Sequence, residues 1–169
     1  MAGNKYIKNN AGTLTEEAAI QASAGAGDAG KIPALDADGR IDNSMMPTGI
    51  GADTSSIVSS ENLAAGDLVN IWNNTGTANV RKADATTAGK EAHGFVLSAV
   101  TAPAAATVYF EGSNTGVTGL TPGPQFLSTT AGRCTATAPS AAGNVVQRVG
   151  FATSATNMNF QSQTPVVLA

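Results

Sequence analysis

From about residue 61 to residue 169 the chain is a succession of short runs rich in Val, Ile, Phe and Thr, each closed by turn-forming residues. Runs of that length at near-regular spacing predict an all-β domain. The pattern places strands at 67–72, 78–83, 94–100, 107–111, 125–129, 133–138, 145–152 and 159–167. Turns fall at 73–76, 84–89, 101–103, 112–119, 131–132 and 140–144. Eight short strands predict a small β-barrel or β-sandwich. In the first strand Leu68, Asn70 and Trp72 share one parity, so alternation does not decide which face turns inward.

Residues 1–46 lack this succession, and 47–60 carry Pro47, Gly49, Gly51 and four serines. The predicted organisation is an extended N-terminal arm over 1–46, a linker over 47–60 and a β domain over 61–169. Thr13 or Thr15 as a cap, with Glu16 and Glu17 in the first turn, predicts one short helix over 13–22, ended by the glycines of 25–30. Residues 31–42 read as extended, because Pro33 disfavours a helix and Asp38-Gly39 makes a turn. Thirty extended residues reach about 100 Å.

Composition says where such a chain finds its stability. Ala, Thr, Gly, Asn and Ser make up 95 of 169 residues, whereas Val, Leu, Ile and Phe number 32. That share lies near the rough 20% line below which disorder is suspected, but a net charge of −3 with 12% charged residues argues against full disorder. Of the 32, 23 fall within 61–169, so the scarcity belongs mostly to the arm. Such a chain is expected to be completed by partners or by its own copies. The arm's anchors are Ile32, Leu35, Ile41, Met45 and Met46. They either fold back on the β domain or dock into a neighbour, with 32–41 adding a strand to a sheet edge.

Other classes find little support. No run of 18 apolar residues and no apolar leader core is present, so neither membrane insertion nor secretion is expected. A single cysteine, Cys134, makes no internal disulfide. Nine scattered basic residues give no footprint for nucleic acid. Residues 25–30 spell G-x-G-x-x-G, but no strand precedes them and Lys31-Ile32-Pro33 follows, so a hinge is expected and not a phosphate-binding turn. Asp36, Asp38 and Asp42 resemble part of a calcium loop without its closing glutamate, and an Asp-Gly turn is expected instead. His93 and Cys134 are too few for a zinc site, and nothing in the sequence brings them together as a nucleophilic pair. Glu61, Asp67, Asp84, Glu91 and Glu111 are the carboxylates available to a hydrolase, and none has a distinctive context. No enzyme activity, cofactor or metal is expected.

Four runs carry a resemblance. They are Val80-Arg81-Lys82-Ala83-Asp84-Ala85-Thr86-Thr87-Ala88-Gly89-Lys90-Glu91-Ala92-His93-Gly94-Phe95-Val96, Phe110-Glu111-Gly112, Gly119-Leu120-Thr121-Pro122-Gly123 and Gln147-Arg148-Val149-Gly150-Phe151-Ala152. Together they resemble the β modules of tailed-bacteriophage virion proteins, found in head decoration (cement) proteins and in tail fibres. Residues 30–39 are similar to connectors in such proteins. The resemblance implies a non-enzymatic virion protein, a homotrimer on the outer capsid surface that contacts the major capsid protein and stabilises the head against internal DNA pressure. It implies no catalytic residue, no direct nucleic-acid contact and no membrane. A chain of this length, starting at Met and ending after its last strand, is expected to be a decoration protein. The alternative is a short tail-fibre or tail-tip protein that binds a host surface receptor.

Overall fold

The computed structural model describes residues 4–46 and 51–169, which belong to two units, 1–51 and 52–169. Strands are the main regular structure of both. In chain order they are β1 (Lys5–Asn10), β2 (Thr13–Ala18), β3 (Thr54–Val58), β4 (Leu68–Asn74), β5 (Thr77–Lys82), β6 (Gly94–Phe95) and β7 (Ala105–Tyr109). There follow β8 (Glu111–Asn114), β9 (Gly123–Leu127), β10 (Cys134–Thr135), β11 (Val145–Val146), β12 (Arg148–Ser154), β13 (Asn157–Gln161) and β14 (Val166–Val167).

One four-residue pattern makes two of the hairpins. Asn-Asn-x-Gly stands at 9–12 and again at 73–76. Ala11 and Gly12 have φ of 50° and 93°, and Thr75 and Gly76 have 51° and 92°. Positive φ at both central residues is what a two-residue type I′ turn requires. The first asparagine of each pattern braces the turn, accepting the glycine N–H on its Oδ1 at 2.8 Å (Asn9) and 2.7 Å (Asn73).

The larger unit is a β-sandwich-like fold of two five-stranded antiparallel sheets, ordered β3-β7-β6-β4-β5 and β10-β9-β12-β13-β8, with β11 and β14 as a separate pair. Neither sheet closes into a barrel. The first sheet does curl, bringing Ser59, just after β3, into an isolated bridge with Val80 of β5. This creates two cores. Leu68, Phe95, Val117, Leu127, Val145, Val149, Met158 and Phe160 form the main one. Leu63, Val69, Val80, Val96, Ala106 and Val108 fill the second. Phe95 stacks on Tyr109 at 5.3 Å and meets Phe160 at 5.5 Å.

Glycines allow backbones to touch where the sheets are joined. Gly66 and Gly116 cross so closely that a Cβ on either would lie 2.3–2.4 Å from the other's main chain. Asn114, fully buried, clamps this crossing by donating from Nδ2 to the Gly66 carbonyl at 3.0 Å.

Several expectations need correction. The helix over 13–22 is not formed: 13–18 is strand β2, because the turn at 11–12 presents it to β1, and the helix had only weak apolar spacing to hold it. The linker over 47–60 is cut short by β3, which pairs along its length with β7; residues 47–50 lie outside the described residues. The strand expected over 94–100 pairs as a strand only at 94–95. Beyond it the chain follows the 63–67 segment, with Val96 N–H donating to the Asp67 carbonyl and Val100 bonded to Leu63. The turn over 112–119 is in part strand β8. The expected strands at 145–152 and 159–167 are each divided in two.

Candidate partner-binding surface

The N-terminal unit is shaped by backbone bonds and short polar braces. Beyond β2, Ile20 donates to the Ile32 carbonyl at 3.1 Å and accepts from Ala34 N–H at 2.7 Å, a parallel bridge that draws 32–34 alongside. Gln21 Nε2 donates to the Leu35 carbonyl at 2.7 Å. Between them the glycine-rich stretch forms a 3₁₀ turn, Ala26–Asp28. The Asp28 carboxylate accepts from Ala24 N–H at 2.6 Å and pairs with Lys31 at 3.0 Å. The Ala24 bond, then Lys31, holds that carboxyl below its usual range, and Asp28 in turn raises the Lys31 ammonium.

A second brace turns the chain back. Asp36 Oδ1 accepts the N–H of Asp38 at 2.9 Å and of Arg40 at 2.8 Å, while Asp36 N–H donates to the Arg40 carbonyl. This is the Asp-Gly turn expected in place of a calcium loop, with Gly39 at φ 74°. It sets Leu35 and Ile41 at its two ends. Asp42 then caps the 3₁₀ turn Asn43–Met45, accepting from Ser44 N–H and Oγ. Those bonds, hydroxyl first, keep its carboxyl below the usual range. Ser44 Oγ also accepts from Ser23 N–H at 2.8 Å, tying the two turns together.

This framework displays apolar side chains. Among the described residues of 4–46 none is fully buried. Ile32, Leu35, Ile41 and Met46 are exposed and Met45 is half-buried, so all five anchors lie outside both cores. Ile7 and Leu14 are the most exposed, at 65% and 71%. Neither is among the expected anchors: Leu14 falls in the helix expected over 13–22, and Ile7 precedes it in a stretch given no element. The signal that finds them is the Asn-Asn-x-Gly turn at 9–12, identical in form to the one recognised at 73–76.

Cys134 packs against the main core beside a cavity of about 50 Å³, and burial pushes its thiol up, away from a reactive thiolate. His93 accepts Ile71 N–H on Nδ1 at 3.0 Å. Asp67 is buried, takes Ala64 N–H at 2.8 Å, and faces Lys82 at 4.0 Å and Arg133 at 3.8 Å. Asp84 binds Thr86 and Lys90. Glu61 and Glu91 accept backbone N–H groups from Lys82 and Gly89. Glu111 begins β8 at the edge of its sheet. Among the described residues no three or more His, Cys, Asp or Glu side chains group as metal ligands, and no helix is long and apolar enough to cross a membrane.

Comparison with protein-family models, with curated proteins and with solved structures finds no match to this chain.

Proposed function

We propose that this chain is a non-enzymatic virion structural protein, a homotrimeric decoration protein that binds the outer surface of a phage capsid through its N-terminal unit. It acts there by bridging copies of the major capsid protein and so opposing the pressure of packaged DNA. The observation that carries the docking part is the contrast between the units: 52–169 holds two fully buried cores, whereas 4–46 buries no side chain and presents Ile32, Leu35, Ile41 and Met46 to solvent. Fully covering a side chain of this size contributes about 1.5–3 kcal/mol, so a groove that takes several of them gives a usable contact. Repetition over a lattice then multiplies modest contacts into firm attachment.

The choice of a phage head is supported by the resemblance of 80–96, 110–112, 119–123 and 147–152 to virion β modules. The structural roles of Asp67, Asp84, Glu61 and Glu91 support a chain without catalysis. A second reading, a tail-fibre or tail-tip protein that binds a host surface receptor, is favoured by Phe151. It is 46% exposed on the outer face of its sheet, with the Arg148 guanidinium 5.3 Å from its ring centroid.

Particle stoichiometry and variants test the reading together. Purified virions should carry this chain in numbers comparable to the major capsid protein, and Ile32→Asp with Leu35→Asp should leave the β unit folded but strip it from heads. A handful of copies per particle, or normal occupancy by the double variant, overturns the decoration reading; binding to host cells lost on Phe151→Ala would install the second.

A further inference from the structure

The hairpin of β1 and β2 is an isolated two-stranded sheet with both outer edges unpaired along their length among the described residues. Its inner bonds fix which residues face outward. Ala19 N–H donates to the Asn4 carbonyl at 2.8 Å, so pairs of that parity (6 with 17, 8 with 15, 10 with 13) point their main-chain groups at each other. Lys5, Ile7 and Asn9 on β1, and Leu14, Glu16 and Ala18 on β2, therefore aim N–H and C=O groups away from the hairpin. Ile20, of the same parity, already uses its outward groups to bind 32–34.

The two edges carry opposite charge. β1 (KYIKNN) holds Lys5 and Lys8 and no acid; β2 (TLTEEA) holds Glu16 and Glu17 and no base, and within one hairpin Lys5 pairs with Glu16 and Lys8 with Glu17 at 3.1 Å, so pairing between copies extends a pattern the hairpin already uses. Like edges of two copies would bring lysine to lysine or glutamate to glutamate, whereas β1 of one copy beside β2 of the next brings opposite charges together. One register also matches the apolar residues. With Ile7 opposite Leu14 of the neighbour, Lys5 falls opposite its Glu16 on the same face, and Tyr6 and Lys8 fall opposite its Thr15 and Thr13 on the other. Shifting by two residues toward the hairpin's own register would set Ile7 against Glu16.

We infer that the N-terminal hairpin is a self-assembly element, joining copies of this chain head to tail by antiparallel pairing of β1 with β2 of the next copy. A contact between unlike edges must close into a ring or grow into a filament. Three hairpins give six strands, a number that closes with no edge left over and puts the three Ile7 and three Leu14 side chains on one common face together with the Lys5–Glu16 pairs. The inference deepens the self-assembly part of the reading above and rests on that part alone.

Sedimentation of the full chain, without any capsid, tests it. The parent should run near the mass of three 16.8 kDa chains. Glu16→Lys with Glu17→Lys, and separately Lys5→Glu with Lys8→Glu, should each fall to the mass of one chain. The four-fold swap in one chain should sediment like the parent, whereas an equal mixture of the two variants should not give three-chain assemblies, because alternating copies close only in even-numbered rings. In a Cys134→Ser background, Ile7→Cys chains mixed with Leu14→Cys chains should cross-link on oxidation, while Ile7→Cys chains alone should not. A parent that sediments as one or two chains overturns the inference, as do charge variants that keep the parental mass, a mixture that forms three-chain assemblies, or efficient cross-linking of Ile7→Cys alone. A chain that assembles through these edges but leaves heads undecorated overturns the capsid reading and not this one.

Discussion

Gln147 holds both main-chain groups of Ala92: the Ala92 N–H donates to Oε1 at 2.8 Å, and the Ala92 carbonyl accepts from Nε2 at 2.9 Å. The same Nε2 reaches Ser162 Oγ at 2.9 Å, whose hydroxyl in turn donates to Ala92. One buried amide thus fastens the entry to β12, the approach to β6 and the segment after β13. Gln147→Leu keeps the bulk but leaves the Ala92 N–H without a partner, and its carbonyl with the Ser162 hydroxyl alone. The expected loss is about 3 kcal/mol, read as a lower urea midpoint at unchanged slope.

Glycine positions should rank by what a methyl group would strike. At Gly150 a Cβ would sit 2.1 Å from the Asn159 carbonyl oxygen, and at Gly116 it would sit 2.4 Å from Gly66 N. Both obstacles are backbone and cannot swing aside. Gly143, with φ +80°, has nothing within 4 Å of the same methyl. Alanine at 150 or 116 should therefore cost about 3 kcal/mol or more, and at 143 only about 1 kcal/mol of backbone strain. Thermal melts of the three variants give the order, and a Gly143→Ala melt as low as the other two would contradict it.

Acid should loosen the loop that follows β5. Burial works to raise the Asp84 carboxyl, but the Thr86 hydroxyl, the Lys90 ammonium at 3.0 Å and the Thr86 N–H outweigh it and hold the group below its usual range. A carboxyl lowered by folding stabilises the folded state fully above its unfolded value, about 3.9, and that contribution disappears as pH falls through the folded value. Asp84→Asn should thus cost about 1–2 kcal/mol near pH 7, and the gap between variant and parent should narrow in urea titrations as pH falls below the unfolded value of about 3.9 and on through the lower folded one.

The β domain could be read from the sequence because its signals are local. The turn at 73–76 lies between strands that pair with each other, and the Val- and Phe-bearing runs at 78–83, 107–111 and 125–129 each contain a strand close to the predicted bounds. What escaped was pairing at a distance and pattern without bulk. β3 is five residues of TSSIV that look like linker until β7, some fifty residues on, supplies the ladder. β1 and β2 carry too few apolar residues for alternation to show, and the capping preference of Thr13 and the glutamates pointed to a helix that nothing packs against. At the candidate surface, Ile32, Leu35, Ile41 and Met46 could be picked out as apolar points in a stretch without a core. Their arrangement around the Asp36–Arg40 turn depends on side-chain-to-backbone bonds that composition does not announce.

Leu68 and Val69, adjacent in β4, lie in different cores, and both are fully buried. A strand greasy on both sides has lost the usual safeguard against sliding by one position, since no apolar residue would be sent into water. The safeguard here is Asn70, whose amide donates to the Glu91 carbonyl at 2.8 Å and accepts from Arg81 Nε at 3.0 Å. A slip would carry it into the second core, away from both partners. A lone asparagine thereby acts as the register pin of the first sheet, and a leucine at that position would be expected to trade a single fold for a choice of alignments.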